Sequence, residues 1–337
     1  MATVKEVAEM AGVSVGTVSK VLNGIQVGEK NKEKVEQAIR VLGYEINVYA
    51  RGLRAQNTYT AAVIVPNLYN QFFALFVEYV EKAFSSRGYK LMLCISSGDA
   101  KKEVDYITLS RQNKVDGIIG ITYNDIEQYV TEGMPFVSLD RHFIQQVHCV
   151  TCDNYGGGWM AGTVFAKAHC KSLLYVRTGS DLSGETMKRG RGFEDYCKSK
   201  QIRFEVLDMH DIDDQNGLDD HNRIYACFDT FFKDKIVNGK CIFDGIFTSG
   251  DYLALMLKEY LEKQEIVVPQ DVQIIGFDGL QLYKDGPYMV SSIAQPIPKL
   301  AEKCVDNLLG LIQKEEVEML SMLPVTFVEG GTTKAVY

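Results

Sequence analysis

The chain has 337 residues, with 36 Lys and Arg against 44 Asp and Glu, which gives a net charge of −8. That length exceeds what one hydrophobic core usually holds, so more than one domain is expected. No stretch is long and apolar enough to span a membrane as a helix, so no membrane partner is expected. Residues 1–10 are charged and unlike a signal peptide, and eight cysteines without such a leader favour a cytoplasmic location.

Two short helices separated by a tight turn are predicted within residues 3–23. Apolar residues recur there at helical spacing, first at Val4, Val7, Ala8 and Ala11, then at Val18, Val21 and Leu22. Gly12 can end the first helix in the left-handed conformation, and Ser14 can cap the second. A third helix is predicted at about residues 30–42, with an apolar face made by Val35, Ala38, Ile39 and Leu42. The three helices predict a small helix–turn–helix unit, although any helical protein can contain such a pair.

The outer face of the second helix suits a DNA groove. Its small and polar residues are Val15, Gly16, Ser19, Lys20 and Asn23. A recognition helix presents such groups to base edges in the major groove. Thr17, Ser19 and Asn23 suit contacts to phosphate oxygens.

A short hinge helix is predicted at residues 47–54, after the third helix. Asn47 is a candidate N-cap, but the segment has only two turns, and Gly52 costs about 1 kcal/mol relative to alanine. Such a helix is not expected to stay folded alone in water.

Two α/β lobes are predicted after residue 60. Short apolar runs alternate with helical stretches at residues 61–65, 90–95, 117–121 and 136–139, and again at 173–176, 204–207, 245–248 and 273–276. Helices are expected at 187–199 and 252–263 in the second series. This alternation is typical of parallel sheets, and its restart predicts a second lobe with a cleft between the two.

Polar and aromatic residues follow several of these strands. Asn70, Phe72 and Phe73 come after the first, Asp140 and Arg141 after the fourth, and Asp278 after the last. Open α/β sheets bind ligands beyond the carboxyl ends of their strands, so these residues predict a ligand site. The alternative is that Asp140, Arg141 and Asp278 only hold the lobes together.

The chain shows no arrangement of residues that would predict catalysis. Its glycine-rich segments form neither a phosphate-binding loop nor a complete dinucleotide motif, and no nucleophile elbow is present. Cys149 and Cys152 form a C-x-x-C beside a predicted strand, without a second ligand pair, so ordinary cysteines are favoured over a metal site. We therefore expect no enzyme, no cofactor and no metal.

Longer motifs carry a resemblance to a known family. The stretches TVKEVAEMAGVSVGTVSKVLNG and VGEKNKEKVEQAIRVLGYEINVYARGL resemble the LacI family of bacterial transcription regulators. Further motifs follow in the family's order, among them VPN, NQFF, LDR, CDNYGGG, RGRGF, FDGIFTSGD, IIGFDG and GGTT. The resemblance covers essentially the whole chain. It implies an all-α headpiece with a hinge helix, then a periplasmic-binding-protein-like α/β domain of two lobes, each with a parallel sheet.

The resemblance also implies roles in DNA binding. Val15, Gly16 and Lys20 match positions that read the major groove, and Leu53 matches the hinge leucine pushed into the minor groove. The full predicted DNA-binding set is Val15, Gly16, Thr17, Ser19, Lys20, Asn23, Asn31 and Leu53. An apolar wedge bends the duplex, which lets two headpieces reach successive half-sites. Gly16, Lys20 and Ile46 depart from the usual family residues, so no operator sequence is predicted.

For the effector site, the resemblance implies that eight residues match positions that hold a monosaccharide in related sugar-binding proteins. They are Asn70, Phe72, Phe73, Asp140, Arg141, Arg189, Asp278 and Gln295. Gly250 departs, since an asparagine is common there. Carboxylates and guanidinium groups bond paired hydroxyls, so a sugar-like effector is expected. A purine or nucleoside effector remains open, as does a sugar carrier that does not bind DNA.

Charge distribution suggests how DNA is bound. Residues 1–60 hold eight Lys and Arg and six Asp and Glu, so they carry +2 and the remainder carries −10. A weakly basic headpiece needs a second copy for affinity, which predicts a homodimer on a pseudo-palindromic operator. Effector binding between the lobes is expected to change headpiece spacing, as an inducer or a corepressor.

The expected organisation is a headpiece at 1–45, a hinge at 46–58 and an effector-binding and dimerisation domain at 59–337. Within that domain, the N-lobe is expected at about 59–157 and 290–320. The C-lobe is expected at about 158–289 and 321–337.

Overall fold

A computed structural model describes residues 2–22, 25–44, 58–112, 115–131, 133–143, 147–179, 184–209 and 218–334. The chain divides into two compact units, Met1–Thr58 and Tyr59–Tyr337. The predicted hinge helix at 47–54 lies outside the described residues.

Three helices form the first unit: α1 (Val4–Ala11), α2 (Val15–Leu22) and α3 (Glu29–Leu42). Thr3 caps α1 in a reciprocal capping box with Glu6, and Gly12 ends it with φ of 62°. The Oγ of Ser14 accepts a hydrogen bond from the Thr17 amide at 3.1 Å, which begins α2 as predicted. The core of this unit consists of Val7, Ala8, Ala11, Val18, Val35 and Ala38.

The first lobe of the second unit is built on a six-stranded parallel sheet. Its strands are β1 (Thr60–Val65), β2 (Lys90–Ile95), β3 (Gly117–Gly120), β4 (Phe136–Leu139), β5 (His148–Cys152) and β13 (Leu320–Leu323), in the order β13-β5-β4-β3-β1-β2. In the register, Val63 lies beside Leu93 of β2 and Ile119 of β3. The helices are α4 (Gln71–Ser86), α5 (Ala100–Gln112) and α10 (Ile297–Ile312), with a 3₁₀ turn at Glu127–Tyr129.

Alternate residues of β1 pack into two separate cores. Val63 joins the core formed with α4 and α10, which includes Phe76 and Leu300. Ile64 faces the other side, where α5 contributes Ile107. Both faces of this sheet are therefore covered, as parallel sheets require.

The second lobe has a six-stranded sheet as well. Its strands are β6 (Ser172–Thr178), β7 (Arg203–Met209), β10 (Gly245–Thr248), β11 (Gln273–Asp278), β12 (Ser292–Ala294) and β14 (Thr326–Val328), in the order β14-β12-β11-β10-β6-β7. Only β14 runs antiparallel to its neighbour among these described strands. The helices are α6 (Asn154–Lys167), α7 (Lys188–Lys200), α8 (Leu218–Phe232) and α9 (Asp251–Lys263), and β8 (Ile236–Val237) pairs with β9 (Lys240–Cys241) as a small hairpin.

The sheet order corrects the expected lobe boundaries. Residues 290–294 are expected in the N-lobe, but β12 pairs with β11 in the second sheet. Residues 321–323 are expected in the C-lobe, but β13 pairs with β5 in the first sheet. Helix α6 begins at Asn154, before the expected boundary at residue 157, and packs against α7 of the second lobe. The chain thus passes between the lobes after β5, after β12 and after β13.

Candidate functional site

Helix α2 carries most of the predicted DNA-reading residues. Val18 is fully buried, whereas Val15, Gly16 and Lys20 are exposed. Thr17 and Ser19 are half-buried, and the Thr17 hydroxyl lies 2.9 Å from the Ser14 hydroxyl. The exposed face of α2 is therefore formed by the residues expected to meet bases.

Three other predicted DNA contacts lie elsewhere in the chain. Asn31 is exposed in the first turn of α3, where its amide donates to the Gly28 carbonyl at 2.9 Å. Asn23 and Leu53 lie outside the described residues.

Four of the eight predicted effector residues meet where the chain crosses between the lobes. We call this cluster the lobe junction, and it consists of Asp140, Thr151, Asn154, Arg189, Asp278 and Gln295. Thr151 and Asn154 are additions that the sequence did not predict. All six side chains are buried.

Asp140 follows β4 with φ of 58° and reaches the junction from the first lobe. Its Oδ1 accepts from the Thr151 hydroxyl at 2.6 Å and from the Asn154 amide at 3.5 Å. Burial raises the pKa of Asp140, and the nearby charge of Arg189 opposes that rise. Asp140 is therefore a buried acceptor with both protein donors and a cation beside it.

Arg189 lies on α7, in the second lobe, and contacts four groups. Its Nε donates to Asn154 Oδ1 at 2.7 Å, and its Nη1 donates to the Ser249 carbonyl at 2.6 Å. The same Nη1 lies 3.8 Å from Asp278 Oδ1, and the guanidinium lies 3.8 Å from the centre of the Phe277 ring. This packing fixes the plane of the guanidinium fork.

Asp278 ends β11 and forms the other acidic side of the junction. Gln295 Nε2 donates to its Oδ1 at 2.7 Å. Burial raises the pKa of Asp278 to about 7, partly offset by Arg189. Neighbouring Asp251 accepts from the Leu280 amide and from the Ser292 hydroxyl, and burial raises its pKa to about 6. The two carboxyls lie close enough for each charge to disfavour the other.

The cysteines near the junction are thiols with structural partners. Cys152 Sγ donates to Gln295 Oε1 at 3.1 Å, and burial raises its pKa well above the usual value. Cys149 is also a buried thiol outside any disulfide. No group of three potential metal ligands occurs among the residues with described positions.

Asn70, Phe72 and Phe73 sit on the first-lobe side, at the start of α4. The Asn70 side chain accepts from the Phe72 amide at 2.8 Å and so caps the helix. Phe72 and Phe73 are buried in a core that also includes Leu280 of the second lobe. Nearby, Gln71 Nε2 donates to the Gln281 carbonyl at 2.9 Å, a direct contact between the lobes.

Arg141 contacts the loop after β3. Its Nη1 donates to the carbonyls of Thr122, at 3.3 Å, and of Asn124, and its guanidinium covers the Phe143 ring at 4.5 Å. Its buried Nε has no hydrogen-bond partner within the described ranges. The structure therefore leaves one donor of Arg141 unused.

Glycines allow α6 and α7 to approach closely enough to build the junction. A Cβ at Gly158 would lie 1.9 Å from the Arg189 carbonyl oxygen, and one at Gly192 would lie 2.0 Å from the Tyr155 carbonyl oxygen. Because the helix backbones touch, Asn154 at the start of α6 reaches Arg189. The glycines in CDNYGGG and RGRGF are the sequence signal that could have identified Asn154.

A helix–turn–helix unit on the same chain as a two-lobed body with a buried polar junction is typical of DNA-binding proteins that respond to a ligand. Two family models match the chain: "Bacterial regulatory proteins, lacI family" over residues 3–47 and "Periplasmic binding protein domain" over residues 61–316.

Relatives named as operon repressors are similar to this chain over nearly its full length. The chain is 32% identical to the sucrose operon repressor of Pediococcus pentosaceus, over 97% of this chain and 98% of that protein. It is 29% identical to the ribose operon repressor of Bacillus subtilis, over 99% of each. A crystal structure of the lac repressor dimer bound to operator has a TM-score of 0.82 at 20% identity, covering 99% of both chains. This chain belongs to the LacI family and is a DNA-binding transcriptional regulator.

These named relatives are repressors of transcription. In the described part of the chain, no helix combines the length and apolarity needed to cross a bilayer.

Proposed function

We propose that this regulator represses an operon for the use of a sugar, and that the sugar binds at the lobe junction and changes operator affinity. The main support for a ligand site at the junction is the position of Arg189. It contacts Asn154, Ser249 and Asp278, and Asp140 lies nearby from the other lobe. Relatives named as sucrose and ribose operon repressors support the sugar class.

The junction has the chemistry of a sugar site. Carboxylate oxygens of Asp140 and Asp278 can accept from neighbouring hydroxyls, while the Arg189 fork and the free Nε of Arg141 can donate. Phe72 and Phe73 are proposed to form an apolar wall of the site. Asn70 and Gln295 are proposed to contact the sugar through their side-chain amides. A ligand held by both lobes favours one lobe arrangement over another, which is the basis of the proposed switch.

On the DNA side, we propose that α2 enters the major groove. Val15, Gly16 and Lys20 would face base edges, with Thr17, Ser19, Asn23 and Asn31 near the phosphates and Leu53 in the minor groove. Two copies of the chain on a pseudo-palindrome would place two α2 helices one helical turn apart. We infer that the protein acts without catalysis, in the bacterial cytoplasm where its operator lies.

The experiment is an operator selection followed by a sugar titration. Full-length protein is used to select binding sites from random DNA at near-physiological salt, and a labelled selected site is then titrated by fluorescence anisotropy with sucrose, ribose and a wider sugar panel. We expect a pseudo-palindromic site and a change in affinity with one sugar. No change with any sugar, while operator binding persists, would overturn the sugar effector.

A matched pair of variants separates the two sites. Lys20→Ala should lose operator affinity and keep sugar binding, because Lys20 is exposed on α2. Lys171 is exposed just before β6, so Lys171→Ala removes the same charge and should change neither operator affinity nor sugar binding. A sugar carrier with no role on DNA would behave identically in both variants.

A further inference from the structure

Glu185 is a buried acid that joins the two lobes beside the junction. It precedes α7, and its side chain is completely buried. Its Oε1 lies 2.6 Å from His142 Nε2 of the first lobe and accepts from Lys188 Nζ at 2.5 Å. Oε1 therefore has two partners, one in each lobe.

The second carboxylate oxygen of Glu185 is not used. Oε2 is buried and has no hydrogen-bond partner among the residues that the structure describes. A buried acceptor without a donor carries a desolvation cost that a bound hydroxyl would remove. Both partners of Glu185 are close in the chain to junction residues, since His142 is two residues after Asp140 and Lys188 directly precedes Arg189. The negative charge of Glu185 also raises the pKa of Asp140, in agreement with this placement. Glu185 therefore lies beside the lobe junction and brings a buried acceptor without a donor to it.

Acidic groups outnumber basic ones around this site. Asp140, Glu185, Asp251 and Asp278 are the acidic groups. Lys188 and the His142 imidazole contact Glu185, and Arg189 contacts Asp278. Arg141 is bonded to backbone carbonyls, and its own charge is offset by Glu103, Asp125 and Glu127. Burial raises the pKa values of Asp140, Asp251 and Asp278, which lessens their negative charge near neutral pH, so the repulsion of an anionic ligand is assigned to Glu185.

We propose that Glu185 makes the lobe junction selective for neutral, unphosphorylated polyols, because its free Oε2 accepts a ligand hydroxyl and its charge repels a ligand phosphate. This inference rests on the proposed sugar effector and narrows its chemical class. Selectivity of this kind comes from a repulsive element built against the wrong ligand as much as from contacts to the right one.

The test compares sugars with their phosphate esters on the full-length wild-type protein. Calorimetric titration is done with sucrose and sucrose 6-phosphate, with ribose and ribose 5-phosphate, and with further pairs of the same kind. For the sugar that binds, we expect the ester to bind about 100-fold more weakly or worse, since like charges brought into contact at a buried site repel each other.

The outcomes separate the two proposals. An ester that binds as tightly as its neutral sugar, or more tightly, overturns the selectivity while the sugar effector stands. Failure of every sugar and every ester to bind overturns the sugar effector, and the selectivity falls with it.

Glu185→Gln tests the residue itself. The variant keeps the shape of the side chain and removes its charge, so the affinity ratio of sugar to ester should narrow by about tenfold. Glu262→Gln is the control, because Glu262 also pairs with a lysine, at 2.7 Å, but lies on the exposed side of α9. An unchanged ratio in Glu185→Gln would remove Glu185 from this role. Should that variant not fold, the wild-type comparison of sugar with ester still decides the selectivity.

Discussion

Asn154 Oδ1 accepts a hydrogen bond from Arg189 Nε at 2.7 Å, while the Asn154 amide nitrogen faces Asp140 Oδ1 at 3.5 Å. One neutral side chain therefore bridges a buried cation and a buried carboxylate that come from different lobes. Because an amide offers both a donor and an acceptor, it fits between the two charges without adding a third. Asn154 sets the distance between Arg189 and Asp140.

Replacing Asn154 by alanine should destabilise the protein. The change leaves Arg189 Nε and one lone pair of Asp140 without a protein partner in a buried site, at a cost of about 1–3 kcal/mol. Thermal unfolding measures this loss, and sugar titration should show weaker binding. Asn222→Ala, at an exposed position on α8, is the control and should leave unfolding unchanged. Equal unfolding temperatures for the two variants would contradict the bridging role.

The sequence predicted the elements of the fold well because they depend on local patterns. All eight predicted strands of the two lobes are present, since runs such as Thr60–Val65 and Gln273–Asp278 are apolar and buried on both faces. The strands β12 and β14 have only three residues each, and nothing local distinguishes them from loops. Their sheet membership is set by where the chain crosses between lobes, which is a long-range property.

The candidate site was predictable only in part, for a related reason. Asp140, Arg189, Asp278 and Gln295 were expected from motif positions, and the structure brings them together. Asn154 was missed because its sequence context looks like an ordinary helix start. Its partner Arg189 is 35 residues away, and only the contact between α6 and α7 makes them neighbours.

Gly158→Ala should disrupt that helix contact. The added Cβ would lie 1.9 Å from the Arg189 carbonyl oxygen, and backbone cannot move aside as a flexible side chain can. Overpacking of this kind costs about 3 kcal/mol or more, and the displaced Arg189 should lose sugar affinity as well. Chemical denaturation provides the measurement.

Gly184→Ala is a suitable control for this change. A Cβ there would meet no atom within 4 Å. A Gly158→Ala protein as stable as the control would show that α6 and α7 can separate without cost, against our interpretation of the glycines.

Asp278 should make stability depend on pH. Burial raises its pKa from 3.8 to about 7, so between these values the folded chain keeps a proton that the unfolded chain releases. Its contribution to the free energy of unfolding is complete below about pH 4 and is lost as the pH rises through about 7.

Asp278→Asn isolates this effect because asparagine has no proton to release. The free energy of unfolding of the variant minus that of wild type should rise by up to about 1.4 kcal/mol per pH unit across the window between the two pKa values. Urea unfolding at several pH values measures it. Asp105→Asn, on the exposed side of α5, controls for the loss of one negative charge. A difference that does not vary with pH would show that Asp278 titrates normally.

Gly16→Ala should change DNA preference without harming the headpiece. A Cβ at Gly16 would meet only Ser14 Oγ, at 3.6 Å, so the helix should gain about 0.5–1 kcal/mol of stability. A methyl group on the proposed groove-reading face should alter which bases are selected from random DNA. Gly12→Ala is the contrasting variant, since φ of 62° there makes a side chain unfavourable and should lower stability. Identical selected sites for Gly16→Ala and wild type would place Gly16 away from the bases.

Arg189→Lys tests whether the shape of the cation matters or only its charge. A lysine keeps the positive charge near Asp278, but it cannot reach Asn154, the Ser249 carbonyl and a ligand at once, because those contacts use the planar fork. Operator binding without sugar should persist, since Arg189 lies in the second unit and not in the headpiece. Sugar affinity should fall by about 10-fold to 100-fold. Arg191→Lys makes the same exchange two residues away, at an exposed position of α7, and should leave both activities intact. Fluorescence anisotropy of labelled operator, titrated with each variant and then with sugar, measures both affinities. A normal sugar response in Arg189→Lys would show that the effector site lies elsewhere than the lobe junction.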